Sequence, residues 1–273
     1  MGSIAATSAT TATTARGDAS GSRVRAGAVR VGCAGWSIPS RHAHLFGEGG
    51  SHLARYATRF SITEINSTFY RAHRPQTFER WAREVPAGFR FSVKLPRAIT
   101  HDARLRGVGD ALSAFFDQVA GLERKLGGVL VQLPPSLKFD ARTASTFFAM
   151  LRRRTAVPVA CEPRHASWFE GTANELWNRY GVSRVAADPA RLPAAAEPVG
   201  DAGAWSYWRW HGLPRIYYSQ YDDAALGQLA ASLCAHGRAK APAWCILDNT
   251  AAGHAVADAA RLQVLTNAGR ARR

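Results

Sequence analysis

The sequence predicts a single closed barrel of eight parallel strands, each followed by a helix: a (β/α)8 fold of the TIM type. Three observations carry the prediction. Short apolar, β-type runs begin at residue 29 and recur eight times, with starts 23 to 39 residues apart, the length of one strand-plus-helix unit. Amphipathic helical stripes fall between the runs. All eight runs have polar or aromatic residues at or just beside their C-terminal ends, whereas their opposite ends carry mostly glycine, proline and ordinary surface residues. That one-sidedness suits a barrel with a site on its C-terminal face.

The runs are Val29 to Ala34, Ser61 to Ile65, Phe89 to Lys94, Gly128 to Leu133, Val157 to Glu162, Val182 to Asp188, Trp205 to Trp210 and Ala243 to Asp248. Between them, Phe78, Trp81 and Val85 follow Pro75, a residue suited to a first helical turn. Leu112, Phe115, Phe116, Val119, Leu122 and Leu126 recur at helical spacing, with Asp110 expected to cap that helix and Gly127 to end it. Phe147, Phe148 and Leu151 follow Asp140, and Leu226, Leu229 and Leu233 follow Asp222 and Asp223. These stripes read as core. Residues 189–204 hold Pro189, Pro193 and Pro198, so an irregular crossover or a very short helix is expected in place of a regular sixth helix. The rival architecture, an open doubly wound sheet, needs a glycine-rich phosphate loop after its first strand, and Gly32-Cys33-Ala34-Gly35 is too short for one. The barrel is expected over residues 29–266, between a disordered Ala/Thr/Ser-rich tail over 1–28 and a basic tail over 267–273.

Bulk properties limit the function classes. The chain has 273 residues and a formal charge of +15, of which the two tails supply +2 and +3. A positive field of that size attracts phosphates and nucleic acid, or serves solubility alone. No run of 18 apolar residues exists, so no membrane span is expected. The first 28 residues lack the apolar stretch of a secretory signal. Cys33, Cys161, Cys234 and Cys245 form no C-x-x-C pair and read as free thiols of a reducing cytoplasm.

The strand ends supply the candidate site. Trp36 follows the first run. Glu64, Asn66 and Tyr70 end the second, Lys94 the third and Gln132 the fourth. Glu162, Arg164, His165 and Trp168 follow the fifth, and Asp188 ends the sixth. Arg209 and His211 lie on the seventh, and Asp248 and Asn249 on the eighth. Glu64 and Glu162 suit acid–base work if their environments separate their pKa values, and otherwise serve as ion-pair partners. Lys94 is either a Schiff-base amine or an anion clamp. Arg164 and Arg209 offer planar forks for phosphate or carboxylate. His165 and His211 are proton-transfer or structural groups. Trp36, Tyr70 and Trp168 either stack on a ligand or wall the pocket. No cofactor is predicted. Glu64, Glu162, Asp188, His211 and Asp248 include the ligand types of a divalent metal, but no local spacing selects among them and the surrounding cations compete.

Seven ordered motifs resemble the YecE-like family, also called domain of unknown function 72. They are Gly35-Trp36-Ser37, Glu64 to Tyr70, Lys94 to His101, Gln132 to Pro135, Glu162 to Trp168, Arg209 to Gly212 and Asp248 to Thr250. The resemblance runs from about residue 29 to residue 266. It implies an eight-stranded barrel and no assigned reaction. Fold-level analogies to sugar isomerases and endonuclease-like barrels are loose. Two departures bear on substrate detail. Pro163 stands where the family often has an aromatic. The stretch from Ile38 to Gly50 is poorer in aromatics and carries His42 and His44.

Three functions remain open at this point. The leading one is a barrel enzyme acting on a phosphate-bearing or otherwise anionic substrate. There Arg164, Arg209 and Lys94 hold the anion, Glu162 and His165 move protons, and Glu64 and Asn66 orient them. The others are a nucleic-acid-binding or endonuclease-like barrel, and a non-catalytic ligand-binding or scaffold protein whose carboxylates are all locked in ion pairs. Oligomeric state is not legible.

Overall fold

The computed structural model describes residues 29–199, 205–237 and 242–271. The tail expected over 1–28 lies outside the described residues. Nine parallel strands follow one another: β1 Val29–Ala34, β2 Ile62–Ile65, β3 Arg90–Lys94, β4 Leu126–Gln132, β5 Val159–Glu162, β6 Val182–Arg184, β7 Ala186–Asp188, β8 Ser206–Trp210 and β9 Ala243–Leu247. Their order in the sheet is β6-β5-β4-β3-β2-β1-β9-β8-β7. The two edges, β6 and β7, are successive segments of one stave, so the sheet curls into a nearly closed barrel of eight staves.

The sequence run from Val182 to Asp188 was expected to be one strand. It is broken at Val185, because Arg184 pairs antiparallel with Val199 in the following loop. The stave therefore pairs with β5 below the break and with β8 above it.

The helices are α1 His52–Ala57, α2 Pro75–Glu84, α3 Gly109–Val119, α4 Ala141–Arg152, α5 Gly171–Tyr180, α6 Asp223–Gly237 and α7 Ala255–Ala271. The sequence stripes pack inward: Phe78, Leu112, Phe115, Val119, Phe147, Phe148, Leu151, Leu226, Leu229 and Leu233 are buried in the layer between strands and helices. Asp140 caps α4 by accepting from Thr143 N at 2.8 Å, and Asp222 caps α6 by accepting from Ala225 N at 2.8 Å. Asp110 is not a cap. Helix α3 starts one residue earlier, at Gly109, which places Asp110 in the first turn, where its charge meets the positive helix end. Gly127 does not end that helix either. A 3-10 turn at Ala120–Lys125 follows α3, and Gly127 lies inside β4. Among the described residues of the Pro-rich link after β7 there is only a 3-10 turn, Pro193–Ala195. The last helix runs to Ala271, past residue 266 where the barrel was expected to end. No helix among the described residues is long and apolar enough to cross a membrane.

Side chains alternate along each strand, so the barrel interior is filled from every second position. Its lower part is apolar: Ile62, Leu130, Ala160, Val185, Trp205, Tyr207, Trp244 and Ile246 form one cluster. Trp205 and Trp244 meet edge to face, with ring centroids 4.6 Å apart. They need room from the opposite staves. A Cβ on Gly128 would come within 2.4 Å of the Trp205 ring, and one on Gly127 within 2.6 Å of the Trp244 ring. This plug sets the floor on which the polar upper interior rests.

Candidate functional site

Above the plug, the inward positions turn polar on β2, β3, β4, β5, β8 and β9. Glu64, Lys94, Gln132, Glu162, Arg209, His211 and Asp248 are all buried. The organising group is Arg209, whose side chain is 0% exposed. Its Nη2 and Nε donate to Glu64 Oε1 and Oε2 at 2.8 and 3.0 Å. Its Nη1 donates to Glu162 Oε2 at 2.5 Å, and its Nη2 also donates to Asp248 Oδ2 at 2.9 Å. The planar fork thus faces three carboxylates at once.

Each carboxylate has further partners. Glu64 Oε2 accepts from the Tyr207 hydroxyl at 2.9 Å, and that hydroxyl shares a 2.7 Å bond with Ser92. Glu162 Oε1 accepts from Gln132 Nε2 at 3.0 Å and from Arg164 Nε at 2.9 Å. Asp248 Oδ2 lies 3.0 Å from His211 Nδ1, while His211 Nε2 lies 3.5 Å from Glu162 Oε1. Burial alone would push the Glu162 carboxyl up. Arg209, then Arg164 and His211, outweigh burial and hold it well below the usual range. Asp248 is likewise lowered against burial, chiefly by Arg209 and His211. Burial lowers His211, but Glu162 and the bond to Asp248 overcome it and leave its pKa raised.

Lys94 differs from this network. It is 4% exposed, yet its ammonium makes no hydrogen bond or ion pair among the described residues; it sits 4.2 Å from the centroid of the Phe69 ring. Burial, then the repulsion of Arg209, lowers its pKa to about 8, against a partial pull from Glu64, Glu162 and Asp248. His101 packs edge to face on the same Phe69 ring, with centroids 4.9 Å apart. Burial, then Arg97, Lys94 and Arg164, lowers its pKa.

A cleft of about 370 Å³ opens beside this cluster, lined by Glu162, Arg164, Pro189, Arg191, His211 and Tyr217, among others. The Arg164 side chain is 23% exposed there, its Nε and Nη2 turned to Glu162.

Not every strand-end residue joins the cluster. Trp168 is buried against Phe139 and Trp177, and its Nε1 donates to the Leu137 carbonyl. Trp36 packs edge to face on Trp81. Tyr70 is exposed. His165 caps the 3-10 turn Ala166–Phe169, its Nδ1 accepting from Ser167 N. Asp188 accepts from the Tyr221 hydroxyl at 2.6 Å. Asn249 is wholly buried and donates to Ser219 O and Asp258. Asn66 has a buried Oδ1 without a partner. The sequence reading also missed Ser92, Tyr207 and His101. Ser92 and Tyr207 each lie two residues before a site residue on the same strand, Lys94 and Arg209, so strand alternation was the signal for them.

No group of three or more His, Cys, Asp or Glu side chains among the described residues is arranged to hold a metal ion. Glu64, Glu162 and Asp248 converge on a guanidinium instead.

The sequence matches the family described as "Protein of unknown function DUF72" over residues 30–272. The chain belongs to the DUF72 family. The UPF0759 protein YecE of Escherichia coli K12 is 30% identical over 183 residues; the match spans 64% of this chain and 64% of that relative. A DUF72 family crystal structure from Thermotoga maritima shares the fold with a TM-score of 0.72 at 24% identity, covering 88% of this chain and 99% of that one. Another, from Enterococcus faecalis, also gives 0.72 at 20% identity, covering 88% and 95%. These DUF72 likenesses, like the geometry, place the fold beyond its sequence pattern.

Proposed function

We propose that the C-terminal face of this barrel binds a small molecule bearing a phosphate or carboxylate and acts on it as an enzyme. The observation that carries the reading is the unequal treatment of cations. Three carboxylates are spent on Arg209, while Lys94 is left without an acceptor and Arg164 and Arg191 line the open cleft. A buried ammonium without a counter-ion is costly, and an incoming anion relieves that cost. Arg209 is enclosed and saturated, so its role is to fix the carboxylates, and anion holding falls to Lys94 and Arg164. Glu162 stays ionised near neutrality and orients Gln132 and Arg164. Proton transfer is then assigned to Lys94, whose pKa is lowered to about 8, and to His211, whose ring lies between Asp248 and Glu162.

A second reading, a non-catalytic ligand-binding barrel, draws on one fact: Glu64, Glu162 and Asp248 are all paired. A thermal-shift screen tests the anion binding that both readings share, and a turnover assay on any ligand that shifts Tm separates them. The screen covers phosphosugars, keto acids, oligonucleotides and divalent metals, with Arg164→Ala alongside. A ligand at a hundred times its Kd adds about 2.7 kcal/mol, or roughly 5–10 °C in Tm for a domain of this size. A shift from phosphosugars or keto acids that Arg164→Ala abolishes supports anion binding at this site, and conversion of that ligand by the wild-type protein then supports the enzyme reading. Silence from every anion removes it. A shift from oligonucleotides alone, with steep salt dependence, replaces it with a nucleic-acid function.

A further inference from the structure

We infer that Lys94 is an imine-forming amine, and that the substrate class of this site is a small aldehyde or ketone carrying a carboxylate or phosphate. The inference rests on the anion-binding reading above and extends it to the reacting group. A buried lysine that serves structure is matched to a carboxylate. Here the three nearest candidates, Glu64, Glu162 and Asp248, are turned onto Arg209, and the Lys94 ammonium lies over the Phe69 ring instead. The nitrogen is not among the fully sealed polar atoms that lack a partner, so it keeps some exposure. The Phe69 ring gives the ammonium only a cation–π contact in place of a carboxylate. His101 lies against the same ring, with Nδ1 bonded to the Thr100 hydroxyl at 2.9 Å and no partner on Nε2 among the described residues.

The step balances. The Lys94 nitrogen lone pair forms a bond to the carbonyl carbon and the C=O π pair moves to oxygen. That oxygen then leaves as water with the two hydrogens of the amine, and a C=N bond remains. Burial and Arg209 set the protonation state this needs. With a pKa of about 8, roughly a tenth of the molecules carry a free amine at pH 7, about 300 times the fraction of an ordinary lysine.

The chain has four lysines, Lys94, Lys125, Lys138 and Lys240, so the adduct is easily located. Wild-type protein and Arg164→Ala are treated at pH 7 with cyanoborohydride and either pyruvate or acetone, and labelled lysines are mapped by peptide mass. Inorganic phosphate is tested in parallel as a thermal-shift ligand. The expected result is that pyruvate labels Lys94 at least about tenfold faster than the exposed Lys138, and that Arg164→Ala slows this for pyruvate but not for acetone. If phosphate raises Tm yet Lys94 labels no faster than Lys138, the imine is overturned and the anion reading stands. If Lys94 is preferred equally by pyruvate and acetone in both proteins, and phosphate gives no shift, the imine stands and the anion reading is overturned.

Discussion

From Trp205 to Arg209 the chain climbs the barrel interior, and the means of filling it changes within four residues. The lower half is closed by shape: Trp205 and Trp244 interlock over Gly128, and their two indole N–H groups are sealed without acceptors. The upper half is closed by charge: Arg209 saturates itself on Glu64, Glu162 and Asp248. Packing alone secures the floor at the expense of two unmade hydrogen bonds. The mouth is a network that fails as a unit if its centre is removed, and it leaves Lys94 as its one unmatched buried cation among the described residues. The floor is closed by shape, and the mouth carries a buried charge network with one unmatched ammonium, an arrangement that costs stability.

Removing the centre of the network is the largest expected effect. Arg209→Met keeps much of the volume but leaves three buried carboxylates facing one another. A loss of about 3–5 kcal/mol or more is expected, read as the denaturation midpoint; a loss under about 1 kcal/mol would show that the network carries no weight. The pH dependence gives a second reading. Glu162 and Asp248 are depressed in the folded state, so their stabilisation is fully present above the free values of 4.5 and 3.8 and fades as pH falls through and below them. In Arg209→Met the carboxylates gain from protonation, so the deficit against wild type shrinks in acid.

The matching change in the floor is Trp205→Ala. It opens a cavity in the apolar plug and is expected to cost about 3–5 kcal/mol, without the acid dependence of Arg209→Met. It should also leave the thermal shift given by anionic ligands in place. Loss of that shift would mean that floor and mouth are not separable.

Lys94→Met reverses the sign. The lysine pKa is lowered from 10.5 to about 8, so the folded state binds its proton more weakly than the unfolded chain. The penalty is fully present below about pH 8 and is relieved as pH rises towards 10.5. At pH 7 the methionine variant is expected to be more stable by about 3 kcal/mol, a gain that shrinks above pH 8 and is spent near 10.5. An unchanged or lower midpoint at pH 7 would mean that Lys94 has a counter-ion in solution.

How much of this was legible in the sequence follows from the same alternation. The β1 run from Val29 to Ala34 matches its strand at both ends, because turn residues and a change of hydropathy mark them. Glu64, Lys94, Gln132, Glu162, Arg209 and Asp248 meet in the mouth because each is the last or next-to-last residue of its run and falls on an inward position. Asn249 comes one residue after Asp248 and falls on the other face, against Asp258. Trp36 comes after Gly35, whose φ of +81° turns the chain away from strand alternation. The break at Val185 was hidden because it depends on a distant partner, Val199, and no local pattern encodes it. That the carboxylates would choose Arg209 over Lys94 was equally hidden: both are cations at strand ends, and only the three-dimensional reach of a guanidinium fork separates them.

The boundary between the two halves can be tested at one atom. The Tyr207 hydroxyl lies on the apolar cluster below, yet bridges Ser92 and Glu64 above. Tyr207→Phe removes the oxygen and keeps the ring. Glu64 Oε2 retains Arg209 Nε at 3.0 Å, so only the Ser92 hydroxyl is left short of a partner. The expected loss is about 1 kcal/mol, the smallest of the series. If Tyr207 belongs to the floor alone, combining Tyr207→Phe with Arg209→Met gives additive losses. If it is part of the charge network, the double variant loses more than the sum, because Glu64 Oε2 then keeps neither of its donors. A coupling energy of about 0.5 kcal/mol or more places the boundary below Tyr207, and strict additivity places it above.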